Sequence, residues 1–110
     1  MLRIHTLRSV LIACLFAIGT GTALAQSTFA TLTGTVTDSS GAVLPGVTIT
    51  LTNIGTEGTR SLVTDDVGNY LVPNLDAGGY RIVAALSGFA QQTRQTELLA
   101  RQTVRADLQL

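Results

Sequence analysis

The stretch TLTGTVT at residues 31–37 decides the fold, because its odd-numbered positions are all threonine and its even-numbered positions are apolar or glycine. The stretch VTITLT at 47–52 repeats the same period of two. Successive side chains of a β-strand point to opposite faces, so threonine is expected on the solvent face and valine, isoleucine and leucine in a core. The alternation therefore predicts two strands that each bury one face.

Further segments with strand character, separated by glycine and proline, lie at 59–64, 69–72, 79–86 and 102–110. Many short strands divided by turn residues are typical of an all-β antiparallel sandwich. Residues 89–101 follow the period less well, since neither alternate set is apolar, and Arg94, Glu97 and Arg101 could line one face of a helix. We predict an edge strand with a loop there.

The first 25 residues predict a signal peptide. Residues 3–8 carry two arginines and a histidine, residues 10–18 are apolar, and Ala23 and Ala25 form the small-x-small pattern that signal peptidase recognises. The apolar block is shorter than the roughly 20 residues that span a bilayer. We expect cleavage after Ala25 and export to the periplasm or the outer membrane, or alternatively secretion to the cell surface.

A lipoprotein signal is the alternative for this leader, since LIAC at 11–14 resembles the site where a cysteine receives lipid. The apolar run continues past Cys14 to Ile18, whereas a lipoprotein should turn polar after its cysteine. We therefore favour a cleaved signal peptide at 1–25 and a mature domain at 26–110 without a membrane span.

The composition of residues 26–110 excludes several function classes. Histidine and cysteine occur once each in the chain, as His5 and Cys14, and both leave with the leader. Zinc peptidase sites and Ser–His or Cys–His nucleophiles require histidine, so we predict no enzyme activity and no cofactor. Five arginines face seven carboxylates, a net charge of −2 without a basic cluster, which excludes a nucleic-acid surface.

The motif T-D-x-x-G occurs twice between predicted strands, at 37–41 and 64–68. An aspartate at the first position of a type I turn caps its backbone amides, and a glycine at the fourth accepts a positive φ. The turn residues predicted in this way are Asp38, Gly41, Asp65 and Gly68.

A cation site is the alternative for the second motif, because Asp65, Asp66 and Asn69 place three oxygen-bearing side chains in five residues. Calcium binds six to eight oxygens, and this loop supplies at most three side chains. The first motif has two serines where the second has Asp66 and Val67, so the shared feature is the turn. We predict no metal site.

The aromatic residues Tyr70, Tyr80, Phe29 and Phe89 allow two interpretations. They could form a platform that stacks on a sugar, for which Tyr70 and Tyr80 are the candidates. A tyrosine close behind a turn glycine more commonly buries its ring and keeps its hydroxyl hydrated, so we favour core positions. The pair Pro45-Gly46 fits the start of a strand, because proline fixes φ and glycine leaves it free.

Three ordered motifs resemble the carboxypeptidase regulatory-like domain over about residues 30–110: GTVTDSSGAVLPGVTITLTN at 34–53, TDDVGNYLVPNLDAGGYRI at 64–82 and SGF at 87–89. The resemblance implies a small seven-stranded antiparallel β-sandwich of the transthyretin-like (prealbumin-like) type, often grouped with carbohydrate-binding-like folds. The matching positions are turn and core residues, so it carries over no catalytic or binding residue.

Domains of this family occur behind zinc carboxypeptidases, in surface proteins and at the start of TonB-dependent (Oar-like) outer-membrane transporters. A leader followed directly by the domain implies the transporter arrangement, with protein partners: a plug and barrel of the same or a longer chain, or another envelope protein. The alternative is a stand-alone carbohydrate-binding or surface-adhesion module. We also expect the final strand, 102–110, or its neighbour to offer an open sheet edge to a partner.

Overall fold

The computed structural model describes residues 27–110. The predicted signal peptide at 1–25, with Ala23, Ala25 and the alternative lipid site at Cys14, lies outside the described residues. Within residues 27–110 there are eight strands and no helix. The strands are β1 (Ala30–Thr37), β2 (Thr48–Asn53), β3 (Thr59–Val63), β4 (Asn69–Leu75), β5 (Gly78–Ala85), β6 (Gln92–Leu98), β7 (Thr103–Arg105) and β8 (Leu108–Gln109).

The strands form two sheets, which confirms the prediction of an all-β sandwich. One sheet has the order β4-β1-β7, with β8 also paired to β1, and the other has the order β3-β2-β5-β6. The prediction of an edge strand within 89–101 is also confirmed, because β6 pairs only with β5. Tertiary pairing decides this segment, which has no apolar alternation of its own.

The final segment, 102–110, differs from the single antiparallel strand that the sequence predicts. It divides into β7 and β8, and both run parallel to β1. The chain leaves β6 and returns to the start of β1, where the Arg101 amide donates to the Thr28 carbonyl and the Thr31 amide donates to the Gln102 carbonyl. The last strand therefore begins at the same end as β1 and runs in the same direction, which an alternating sequence cannot reveal.

The core lies between the sheets and follows the predicted alternation. In β1 the buried positions are Ala30, Leu32, Gly34 and Val36, while the threonines between them are half-buried. The same pattern continues in the second sheet at Ile49, Leu51, Tyr80, Ile82 and Ala84. Burying one such aliphatic side chain contributes about 1.5–3 kcal/mol, so these rows hold the sheets together.

Strand β4 extends three residues beyond the predicted segment 69–72. Ala30 of β1 pairs with Leu75 and Leu32 pairs with Val72, so an extra residue is accommodated at Pro73-Asn74. Asn74 has a left-handed φ of 59°. Proline lacks an amide hydrogen and is tolerated where a strand has no neighbour, so the irregularity fits the edge position of β4.

Candidate functional site

The side chain of Asp65 lies at the first position of the turn between β3 and β4. Its Oδ1 accepts hydrogen bonds from the amides of Val67 at 3.0 Å and Asn69 at 2.9 Å. The Gly68 amide donates to the Asp65 carbonyl at 3.0 Å, and Gly68 has a φ of 75°. One carboxylate oxygen therefore organises the whole turn.

Asp38 has the same set of bonds in the turn after β1. Its Oδ1 accepts from the amides of Ser40 at 2.8 Å and Ala42 at 3.0 Å, and the Gly41 amide donates to its carbonyl at 3.1 Å. The hydroxyl of Ser40 also donates to this Oδ1 at 2.6 Å. The bond from Ser40 is the main cause that lowers the pKa of the Asp38 carboxyl below 3.8, followed by the bond from Ala42.

The three side chains considered for a cation are mostly engaged with the protein itself. The Oδ1 of Asp65 accepts two amides, and the Oδ1 of Asn69 accepts the Thr35 hydroxyl at 2.6 Å. Among the residues described, no three His, Cys, Asp or Glu side chains converge on a common point. The motif at 64–70 thus builds a turn in which Asp65 accepts backbone amides and Asn69 accepts the Thr35 hydroxyl.

The ring of Tyr70 fills the space over Gly34, its partner on β1. A Cβ on Gly34 would lie 2.0 Å from the Ala106 carbonyl oxygen and 2.8 Å from the Tyr70 ring. The Tyr70 hydroxyl donates to that same Ala106 carbonyl, and the side chain is 3% exposed. Burial raises the pKa of Tyr70 to about 12, with a smaller contribution from the negative charge of Asp107.

Tyr80 is also internal, with 4% exposure, and its hydroxyl donates to the Asp76 carbonyl at 2.7 Å. Tyr70 and Tyr80 thus occupy the core positions that the sequence analysis favours over sugar stacking. The exposed aromatic side chains of residues 27–110 are instead Phe29 and Phe89.

Pro45 and Gly46 lead into β2 at the sandwich end where the second turn lies. Gly46 has a φ of 75°, and its amide donates to the Thr64 carbonyl at 3.2 Å. Val47 follows as a fully buried residue whose amide donates to the Thr64 hydroxyl at 2.9 Å. The pair thus turns the chain into the core at this point.

Two arginines that the sequence does not single out tie the sheets together at their open sides. Arg60 of β3 donates to the carbonyls of Pro73 at 2.7 Å and Asn74 at 2.8 Å. On the opposite side, Arg94 of β6 donates to the carbonyl of Asp107 at 3.0 Å. The sequence does not predict these contacts, because the acceptors are main-chain carbonyls of residues in or beside the strands of the other sheet.

Asp107 is a further structural residue that the sequence does not reveal. It lies in the break between β7 and β8, where its Oδ1 accepts the Thr35 amide at 2.8 Å and its Oδ2 accepts the Arg105 Nε at 3.1 Å. The Thr35 bond is the main cause that lowers the pKa of the Asp107 carboxyl. This carboxylate fastens the final segment to β1.

A depression of about 270 Å³ at the second turn motif is lined by Asp65, Asn69, Tyr70 and Arg105, among others. Two other depressions open on the described surface. One, of about 160 Å³, lies between the β3 and β4 edges and is lined by Leu51, Leu75, Tyr80, Arg60 and Asp76, among others. The other, of about 490 Å³, is lined by Gly46, Thr48, Ala85, Leu86, Ser87, Phe89 and Gln91, none of which is charged. Neither depression brings together an acid, a base and a nucleophile. No helix in residues 27–110 has the length and apolar character needed to cross a bilayer.

A sequence model described as "Carboxypeptidase regulatory-like domain" matches residues 31–110. No curated protein sequence matches the chain significantly. Similar solved structures include the Bacillus anthracis TIE protein, at 17% identity and a TM-score of 0.65 over 74% of this chain and 16% of that chain. A streptococcal ancillary pilin matches at 21% identity and a TM-score of 0.63, over 77% of this chain and 33% of that one.

Enzymes also share the fold. Catechol 1,2-dioxygenase from Acinetobacter sp. ADP1 matches at 12% identity and a TM-score of 0.63, over 82% of this chain and 54% of that chain. The chain thus spans between about a sixth and just over half of these proteins. At such identities the similarity concerns the fold alone.

Proposed function

We propose, from the premise that the chain belongs to the carboxypeptidase regulatory-like domain family, that it is an exported, non-catalytic β-sandwich module that acts through protein contacts. Its specific place is the N-terminal periplasmic accessory domain of a TonB-dependent outer-membrane transporter. The leader-like residues 1–25 and the domain that follows them directly support this arrangement.

The observation that carries the proposal is the use of polar side chains within the fold. Asp38 and Asp65 bind turn amides, while Tyr70 and Tyr80 donate to main-chain carbonyls. No side-chain polar atom buried in residues 27–110 lacks a partner. The distinctive residues of the family motifs therefore stabilise the turns and the core. The sheet edges and the exposed side chains are the groups available for contacts with other proteins.

The transporter assignment is tested by the gene and by the cell envelope. We expect the reading frame to continue beyond codon 110 into a plug and a series of alternating barrel strands. We also expect mass spectrometry of the chain from envelope fractions to find an N-terminus at Gln26. A stop codon directly after codon 110, or a cytoplasmic chain that keeps Met1, would contradict the assignment.

The non-catalytic assignment is tested by a peptidase assay on the purified chain with and without zinc. We expect no turnover above buffer, because residues 26–110 contain no histidine to hold zinc and no cysteine to serve as a nucleophile. A rate that depends on zinc would overturn this part of the proposal.

A stand-alone carbohydrate-binding or adhesion module is the second candidate, and the uncharged depression beside Phe89 is the observation that favours it. Thr48, Ser87 and Gln91 line the depression together with the exposed Phe89, and a combination of hydroxyl, amide and aromatic side chains suits a neutral sugar. A glycan array with the Phe89→Ala variant tests it, with Phe29→Ala as the matched control. Binding that is lost only in Phe89→Ala would favour this candidate over the transporter domain.

A further inference from the structure

The four open edges of the sandwich differ in how well they are protected against a further strand. Edge strands are commonly blunted by proline, bulges, charges or short length. Strand β4 has Pro73 and an irregular register, and the edge of β7 and β8 is broken into pieces of three and two residues. Strand β6 carries Arg94 and Glu97.

Strand β3 has neither proline nor a bulge, and it has a single charged residue. It keeps an unbroken antiparallel register with β2 over Thr59–Val63, without proline or a bulge. Its one charged side chain, Arg60, is bound to the carbonyls of Pro73 and Asn74 in the other sheet. The outward edge of β3 is thus regular and uncharged.

The register also shows which main-chain groups of β3 are free. The Thr64 amide donates to the Val47 carbonyl and the Asn53 amide donates to the Gly58 carbonyl, so hydrogen-bonded pairs with β2 fall on the even positions of β3. The amides and carbonyls of Thr59, Ser61 and Val63 therefore point away from β2. They form a short ladder without a partner in residues 27–110.

The depression of about 160 Å³ opens at one end of this ladder, where Thr59 and Arg60 line it together with Asn53, Thr56 and Gly58. The buried side chains of Leu51, Leu75 and Tyr80 line it, and Leu62 of β3 packs against the same core. A cavity of about 150 Å³ can hold a molecule the size of benzene. The space thus fits one leucine- or phenylalanine-sized side chain from a strand added to β3.

The charge at this opening favours a basic neighbour for that side chain. Asp76 lines the opening, and the ion pair found in residues 27–110 joins Arg105 to Asp107 and leaves Asp76 unengaged. Arg60 is directed to two carbonyls of β4. A lysine or arginine on the incoming strand would complement the Asp76 carboxylate.

We propose that the β3 edge binds an extended segment of a partner protein, which adds a strand to the sheet and inserts an apolar side chain, flanked by a basic one, into the β3–β4 depression. Main-chain bonds supply affinity in such strand addition and the side-chain pocket supplies specificity. The inference rests on the proposed function, because it names the surface through which the module contacts protein. It moves the expected contact from the final segment, 102–110, to β3.

The experiment uses the chain purified from expressing cells and the probe peptide acetyl-Thr-Val-Thr-Leu-Thr-Lys-Thr-amide, which places Val, Leu and Lys on one face. We expect titration to shift the NMR amide signals of 59–63 and the signals of Leu75 and Tyr80. Replacing the peptide leucine by alanine should weaken binding about tenfold, and replacing its lysine by glutamate about threefold. No binding, or shifts centred on 92–98, would overturn the proposal.

Two proline variants test whether binding uses the free amides of the β3 edge. Ser61→Pro removes a free amide from the middle of the β3 edge and should abolish binding, whereas Gln95→Pro on β6 is the matched control and should retain it. Since either proline could unfold the domain, a peptide N-methylated at its central residues provides a test that leaves the protein unchanged, and it should fail to bind. Equal binding of the methylated peptide would refute strand addition.

Three further outcomes separate this inference from its alternatives and from the proposed function. A concentration-dependent dimer that excludes the peptide would assign the β3 edge to a second copy of the chain and overturn the partner proposed here. A reading frame that continues into a transporter, together with a peptide that does not bind at β3, would refute this inference and leave the proposed function standing. A frame that stops, together with peptide binding at β3, would refute the transporter assignment alone.

Discussion

The two T-D-x-x-G turns have the same local hydrogen bonds but different surroundings. In each, the aspartate Oδ1 accepts the amides two and four residues later, and its carbonyl accepts the amide of the glycine. In the first turn, at 37–41, a Cβ on Gly41 would meet no atom within 4 Å. In the second, at 64–68, a Cβ on Gly68 would lie 2.8 Å from the Val36 carbonyl oxygen.

The threonines that open the motifs differ in the same way. Thr64 is buried, and its hydroxyl accepts the Val47 amide and donates to the Leu44 carbonyl at 2.8 Å. Thr37 is half-buried, and its side chain forms no hydrogen bond within the described residues. A short motif therefore fixes the turn, whereas packing decides how much substitution the turn tolerates.

Gly68→Ala should break the equivalence of the two turns most strongly. A left-handed φ costs a residue with a Cβ about 1–2 kcal/mol, and overlap with backbone atoms adds to it, so we expect a loss of about 3 kcal/mol. Gly41→Ala should lower the free energy of unfolding by only about 1 kcal/mol, because it has the cost of the left-handed φ without any overlap. Urea denaturation of both variants measures the difference, and equal losses would show that Gly68 is not confined by packing.

Thr64→Val should have the next largest effect. The substitution keeps the shape of the side chain but leaves the Val47 amide and the Leu44 carbonyl without their buried partner, which costs about 2 kcal/mol. Thr37→Val is the control and should change stability by less than about 0.5 kcal/mol. A similar small change for Thr64→Val would mean that water replaces the hydroxyl.

Tyr70→Phe extends the comparison to the strand that follows the second turn. Losing the hydroxyl bond to the Ala106 carbonyl should lower the free energy of unfolding by about 1 kcal/mol at neutral pH. The pKa of Tyr70 is raised from 10.0 to about 12, so the stability it contributes is complete below pH 10 and is lost as the pH approaches 12. Denaturation at several alkaline pH values should show the gap between wild type and variant narrowing, and a constant gap would refute the assignment.

Asp38→Asn should have the smallest effect and sharpens the comparison at acid pH. Asparagine keeps an acceptor oxygen for the Ser40 and Ala42 amides, so the turn should persist at neutral pH. Because the pKa of Asp38 is lowered in the fold, its contribution is present above pH 3.8 and disappears as the pH falls through the lowered value. Thermal unfolding between neutral and acid pH should therefore depend slightly less on pH in the variant, and an unchanged slope would contradict this.

The alternation of threonine with apolar residues was sufficient to predict β1 and β2, because the period of a strand is local and one buried face imposes it. It was insufficient for the final segment, since a parallel and an antiparallel strand can have the same pattern. It also left the tyrosines open as sugar-stacking candidates, because their exposure depends on what packs over them. Only the structure shows that Gly34 makes room for the Tyr70 ring.

The contacts of Arg60 and Arg94 and the unpaired amides of β3 could not be predicted from the sequence, for a related reason. Arg60 and Arg94 donate to main-chain carbonyls, which every residue possesses. The type of the accepting residue therefore gives no sign of the contact in the sequence. The amides and carbonyls of β3 are free because β3 is the terminal strand of its sheet, and the strand order is set by the tertiary structure. These features arise from the assembly of the sheets and have no signature within a single strand.

Most of the strands, the two turns and the family could be predicted from the sequence, because each of these follows from spacing and from the conformational preferences of a few neighbouring residues. Only the tertiary structure shows which turn is confined by the core, in which direction the last segment runs and which strands lie at the sheet edges. Those outcomes depend on contacts between residues that are distant in the chain, and the free energy of such contacts is set by the packing of the two sheets.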